Sequence, residues 1–226
     1  NRLIENSVSG VIYVPTASPD AKNKMIVQKF REANIPVVLA DRSIPNLEID
    51  HVTTDNLDGA YKITTYLIGK GHTKIAFVFS NIVSTERLRF EGYKKALGDN
   101  GISFDPSIIV SHPGPFNDEQ FSKYAQSILK QRKKITAIFA AHDRIAFAFY
   151  AVAKEVGISF PEDLSIVGYD DLNFHGVSLT TMHQPIYEMG EESMKLIGTR
   201  IRGSKDGPKS IVLASYLVER GSVAQI

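Results

Sequence analysis

The chain contains no cysteine, which excludes disulfides, thiolate catalysis and cysteine-ligated zinc. It has no long hydrophobic run: the longest, Ile145–Ala153 (IAFAFYAVA), is too short to cross a bilayer. No signal-peptide pattern opens it. Asn1–Asn6 (NRLIEN) reads instead as the end of a helix, and as a cut through a domain. Charge of one sign is also missing, with 26 Lys and Arg against 25 Asp and Glu and a net charge of +1. A stand-alone DNA-binding module carries a basic stripe, and the only dense cluster is Lys130–Lys134 (KQRKK). That cluster reads as the solvated end of a helix, where cations suit the helix dipole. These absences fit a cytoplasmic protein with no membrane partner.

Catalytic signatures are equally absent. There is no GxSxG elbow, HExxH pair, Walker A loop or GxGxxG after a strand. Gly69-Lys70-Gly71-His72 only imitates a phosphate loop, since it precedes a strand rather than opening a helix. The histidines (His51, His72, His112, His142, His175 and His183) show no paired metal-ligand spacing. The reading is therefore not an enzyme, with no metal and no cofactor.

What is present is a regular alternation of short apolar runs with helical patterns. Strands are expected at Gly10–Val14, Pro36–Ala40, Lys74–Phe79, Pro106–Val110, Thr136–Ala140 and Leu164–Val167. Their apolar residues are continuous rather than alternating, as in parallel strands buried on both faces. Between them, apolar residues recur at helical spacing: Ile26, Phe30 and Ala33; Ala60, Ile63 and Leu67; Phe121, Ala125, Ile128 and Leu129; Met194, Ile197 and Ile201. Asn117 is a plausible N-cap, and Gly71 and Gly157 suit left-handed C-caps closing helices 57–70 and 144–156. The pattern predicts an α/β protein with a doubly wound parallel sheet. Ser210–Leu213 and Ser215–Glu219 are close enough to pair as a terminal ribbon. With 226 residues there is enough chain for one large domain or two lobes.

Polar residues stand immediately after the strands: Asp41-Arg42, Ser84 to Arg89 (STERLR), His142-Asp143 and Asp170-Asp171. Open α/β sheets bind ligands outside the carboxyl ends of their strands. Asp143 is as well suited to capping the next helix as to touching a ligand. At 170–171 two adjacent acids exceed what one cap needs, so Asp170 is assigned to the ligand. Arg87 and Arg89 point different ways on one helix, and Arg87 is taken as the solvated one.

The segments VSGVIYVP, IPVVLADR, LIGKGHTKIAFV, RLRFEGYKKAL, ITAIFAAHDRIAFAFYAVAKEVGISFPEDLSIVGYDD and LTTMHQPIYEMG resemble successive landmarks of the LacI/GalR regulator family, in its order and spacing. The resemblance covers nearly the whole chain. It implies an effector-binding domain of the type I periplasmic-binding-protein-like fold: two lobes, parallel sheets flanked by helices, and three crossovers. Those crossovers are expected near 53–55, 183–186 and 203–207. One lobe would then hold 1–54 and 186–206, and the other 55–184 and 207–226. The DNA-binding head and the first βα units would lie outside this sequence.

Carried over residue by residue, the resemblance implies a ligand in the cleft contacted by Asp41, Thr85, Arg89, Phe116, His142, Asp170 and Gln184. Arg89 would be the main cationic donor, and Asp170 the main acceptor for hydroxyls. Phe116 would stack on a sugar ring or simply fill core, and His142 stands where the family often has Asn. Acids and one guanidinium beside an aromatic suit a neutral sugar better than a phosphate. Implied partners are that sugar, operator DNA through the absent head, and a second copy of the chain. For the homodimer, Phe147, Tyr150 and Ala151 share one side of a helix that lacks a polar face. An exported sugar-binding protein serving a transporter is the alternative.

Overall fold

A computed structural model describes residues 2–80, 83–111, 118–130, 134–173 and 176–226. In chain order the elements are α1 (Arg2–Glu5), β1 (Val11–Tyr13), α2 (Asp20–Glu32), β2 (Val37–Ala40), β3 (His51–Thr54), α3 (Asn56–Gly69), β4 (Ile75–Phe79) and α4 (Ser84–Asp99). A turn of 3-10 helix (Pro106–Ile108) leads to β5 (Ile109–Ser111), α5 (Asp118–Lys130), β6 (Ala137–Ala140), α6 (Asp143–Val156) and β7 (Ser165–Val167). The chain ends with β8 (Thr181–His183), α7 (Ile186–Ile201), β9 (Ser210–Leu213) and β10 (Tyr216–Val218). Five of the six expected strands form where placed; of Pro106–Val110 only Ile109 and Val110 are strand, the first three residues being the 3-10 turn. The polar HVTT of β3 and the TMH of β8 are additional strands that apolar runs do not reveal.

The chain divides into two compact units, Asn1–Asp55 with Ile82–Thr85 and Pro185–Ala214, and Asn56–Asn81 with Glu86–Gln184 and Ser215–Ile226. In the first, the sheet runs β1-β2-β3-β9 with every pair parallel. β2 is buried throughout, and its alternate residues serve two cores. Val38 and Ala40 join Met189, Leu196 and Ile197 of α7, whereas Val37 and Leu39 join Val27 of α2 with Ile44 and Ile49. A clamp closes this unit: Asp50 accepts from Arg200 Nε at 2.6 Å, from its Nη2 at 2.8 Å and from the Lys209 N–H at 2.8 Å. Burial pushes the Asp50 carboxyl up, but these donors outweigh it and hold the group below its ordinary range.

The terminal ribbon expected from 210–219 does not form. β9 pairs parallel with β3, from His51↔Ser210 to Thr54↔Leu213, while β10 pairs antiparallel with β8. The chain therefore leaves the first unit after Ala214, not near 203–207. The physical reason is that β9 adds its backbone to the open edge of β3, which keeps 207–214 in the first unit.

The second unit holds the parallel sheet β5-β4-β6-β7, with β8 and β10 as a separate pair. Its core is aromatic at the centre: Phe77 of β4 meets Phe139 of β6 edge-on at 4.9 Å and Tyr93 of α4 at 5.0 Å. The Tyr93 hydroxyl, buried with the ring, donates to the Ile75 carbonyl at 2.7 Å. Gly71 ends α3 with φ +95°, where its N–H bonds Ile68 O and the His72 N–H bonds Leu67 O, as a glycine C-cap requires. A Cβ there would also lie 2.3 Å from the Ile226 carbonyl oxygen, so the chain end and the cap demand the same residue. Gly157 closes α6 in the left-handed region, at φ 68° and ψ 38°.

Helix α6 buries Ile145, Ala146, Phe149, Val152 and Ala153. Of the three residues assigned to a dimer contact, Phe147 is half-buried against its own core, and Tyr150 packs on Phe160 at 4.9 Å. Ala151 alone is exposed. The expected N-cap Asn117 lies outside the described residues.

Candidate ligand-binding site

At the carboxyl ends of β4, β6 and β7 the second unit assembles a polar cluster. Ser80 follows β4, Ala141 and His142 follow β6, and Tyr169 and Asp170 follow β7. Arg89 enters from α4 and is 3% exposed. Its Nε donates to Asn56 Oδ1 at 2.8 Å, and its Nη1 donates to the Ala141 carbonyl at 2.6 Å. The guanidinium lies 3.7 Å from the centre of the Tyr169 ring. An always-charged group desolvated this far needs such partners, and three of its faces have them.

Asp170 completes the pair, with Oδ1 lying 3.4 Å from Arg89 Nη1 and accepting from Gln184 Nε2 at 2.6 Å. Its backbone sits at φ 124° and that of Asp171 at φ 58°. Non-glycine residues there cost of order 1–3 kcal/mol each. The turn is held by the Asp170 N–H donating to Met182 O at 2.9 Å, and by Asp171 binding His183 Nδ1 at 2.8 Å and Arg220 Nη2 at 2.5 Å. Burial raises the Asp171 carboxyl, but Arg220 and His183 outweigh it and hold the group below its usual range. Of the two adjacent acids, Asp171 is thus the anchor, and Asp170 is the one presented to Arg89.

His142 is the N-cap of α6 by backbone conformation, and its Nε2 faces Glu86 Oε1 at 3.3 Å. Asp143 caps nothing with its side chain. Fully buried, it accepts from Thr181 Oγ1 and the Leu172 N–H, both at 2.7 Å, and so ties α6 to β8 and the loop after β7. Burial, reinforced by the charges of Asp170 and Asp171, pushes this carboxyl up to about 6 against the hydrogen bonds that oppose it. The expected cap is therefore not what its side chain provides: both oxygens go to Thr181 and Leu172.

The structure thus brings Arg89, Asp170 and Gln184 together, with His142 beside them through Glu86. Thr85 is buried in the opening turn of α4, one helical turn before Arg89. Asp41 belongs to the first unit, at φ 65°, with its carboxylate 3.3 Å from Arg42 Nε. Phe116 lies outside the described residues. Two residues escaped sequence reasoning. Buried Asn23 accepts from the Thr16 N–H at 3.1 Å and donates to Thr16 O at 3.1 Å and Ser18 O at 3.2 Å, fixing the loop after β1. The other is Glu86, 3% exposed although it sits in a helix turn where acids are ordinarily solvated. Among the described residues, no group of three acids or histidines is placed to hold a metal ion.

The profile of the periplasmic binding protein-like domain family matches residues 64–223. A LacI-family transcriptional regulator from Enterococcus faecium, solved with bound ribose, superposes with a TM-score of 0.86 at 30% identity, covering 100% of this chain and 83% of that one. The chain belongs to the LacI family. A second neighbour, the transcriptional regulator CelR in complex with cellobiose, gives a TM-score of 0.85 at 29% identity, over 98% of this chain and 68% of that one. The HTH-type transcriptional regulator DegA of Bacillus subtilis (strain 168) is 32% identical over 228 residues, which is 99% of this chain and 66% of DegA. The LacI-family chain spans 55–66% of the length of the curated relatives it matches. Among its described residues, no helix is long and apolar enough to cross a membrane.

Proposed function

We propose that this chain is the effector-sensing part of a cytoplasmic LacI-family repressor, and that it binds a neutral sugar at the Arg89–Asp170 cluster. The carrying observation is a buried guanidinium and a carboxylate 3.4 Å apart at the strand ends, with Gln184 bonded to the same carboxylate. Such a donor–acceptor pair answers a sugar hydroxyl, which accepts and donates at once. Glu86 and Asp170 oppose the one guanidinium, so the cluster offers no surplus of positive charge for a phosphate. His142 and Gln184 extend the candidate contact set of that cluster; Asp41, Thr85 and Phe116 are candidates from the family resemblance, Phe116 for stacking.

In this reading the sugar binds one conformational state of the domain better than another, and that difference is the signal passed to operator DNA through a separate head. The chain works as a homodimer through the exposed side of α6, with no cofactor and no catalysis. Relatives named as regulators favour this over an exported transport protein. A thermal-shift screen of pentoses, hexoses and disaccharides against the full-length protein tests the ligand class, since a ligand that binds only the native state raises the melting point. Stabilisation by phosphorylated sugars or purines alone would overturn the neutral-sugar reading.

A further inference from the structure

Glu86 stands three residues before Arg89 in α4 and is 3% exposed. A carboxylate desolvated this far persists only where every oxygen is answered. Its two oxygens have different partners. Oε2 accepts from the Ser80 N–H at 3.0 Å and from the Ser80 hydroxyl. Oε1 faces His142 Nε2 at 3.3 Å. Burial pushes this carboxyl up, but His142, Ser80 and the charge of Arg89 outweigh it and keep the group below its ordinary range. An ionised carboxylate only accepts, so the ring nitrogen that faces it must carry a proton. The backbone N–H of Ser80 cannot reverse its role, which pins the arrangement from the other side. His142 directly follows Ala141, whose carbonyl holds Arg89 at 2.6 Å. The proton on Nε2 is therefore set at the edge of the Arg89–Asp170 cluster.

We propose that Glu86 is a positioning residue of this site: by holding a proton on His142 Nε2 it fixes the hydrogen-bonding polarity of the His142 ring, and so contributes to which sugar is accepted. The proposal rests on the sugar-site reading above. A histidine locked by a buried acid has one polarity, and a locked group discriminates between ligands more sharply than one that adapts.

Glu86→Gln reverses the lock. Its amide oxygen must still accept from Ser80, so its NH2 faces the ring, and Nε2 becomes the acceptor. Nitrogen-15 NMR of histidine-labelled protein, with His142→Asn identifying the signals, reads this without any ligand. The expected result is a protonated Nε2 on His142 in the wild type, and a shift of the proton to Nδ1 in Glu86→Gln. A bare Nε2 in the wild type overturns the proposal, whether or not the variant folds, and so does a tautomer unchanged in Glu86→Gln. In calorimetry with ribose and cellobiose, Glu86→Gln should weaken binding by about tenfold or more and have no effect once His142 is Asn. An equal loss in both backgrounds also overturns it. If Arg89→Ala binds the sugar normally, the sugar-site reading fails while the tautomer result stands.

Discussion

Asp143 makes a quantitative demand on the fold. Its carboxyl is fully buried and raised from 3.8 to about 6, chiefly by burial. Because the folded value lies above the unfolded one, the native state binds more protons than the unfolded state between those values. The stability contribution of this group is then complete below about pH 4 and is lost as pH rises through about 6. A rise of this size corresponds to about 3 kcal/mol. Asp143→Asn removes the ionisation and keeps the shape: the amide oxygen accepts from the Leu172 N–H, and the NH2 donates to a rotated Thr181 hydroxyl. Urea unfolding of both proteins should be followed by circular dichroism from pH 4 to pH 7.5. The variant should gain on the wild type by up to about 3 kcal/mol as pH rises. Groups common to both, including Glu86, Asp50 and Asp171 with their opposite pH dependence, cancel in the difference. A difference that stays flat across this range would refute the argument that burial governs Asp143.

Two further expectations concern packing and assembly. A Cβ on Gly168 would stand 2.0 Å from Asp143 Oδ1, so Gly168→Ala should destabilise the protein by about 1–3 kcal/mol, read as a lowered urea midpoint; an unchanged midpoint would mean the loop relaxes freely. Ala151 is exposed on α6, so Ala151→Glu should fold normally and halve the mass in light scattering. A variant that remains dimeric would place the contact elsewhere.

Much of the fold was legible because buried parallel strands write themselves as apolar runs: VVLA and IAFVF become β2 and β4 almost residue for residue. β3 and β8 were not, since HVTT and TMH carry polar residues whose strand character comes from their neighbours. β9 was misassigned for a related reason: nearness in sequence suggested pairing with β10, but the open edge of β3 lies 159 residues away in the register His51↔Ser210. In the site, Arg89 and Asp170 follow from position after strands plus the family resemblance. Glu86 does not, because its burial depends on Ser80 and His142 answering its oxygens. For Asp143 the sequence left cap and ligand contact open, because no local sign shows that Thr181 bonds its carboxylate.

The central claim is that Arg89 and Asp170 bind the sugar, and isothermal titration of the full-length protein tests it most directly. Each of Arg89→Ala and Asp170→Asn removes one charged partner from a pair whose guanidinium is buried and whose carboxylate is half-buried, a loss of about 1.5–3 kcal/mol. For whichever sugar the wild type binds, both variants should therefore weaken affinity by about tenfold or more while keeping wild-type circular dichroism. Near wild-type affinity in both variants would contradict the account.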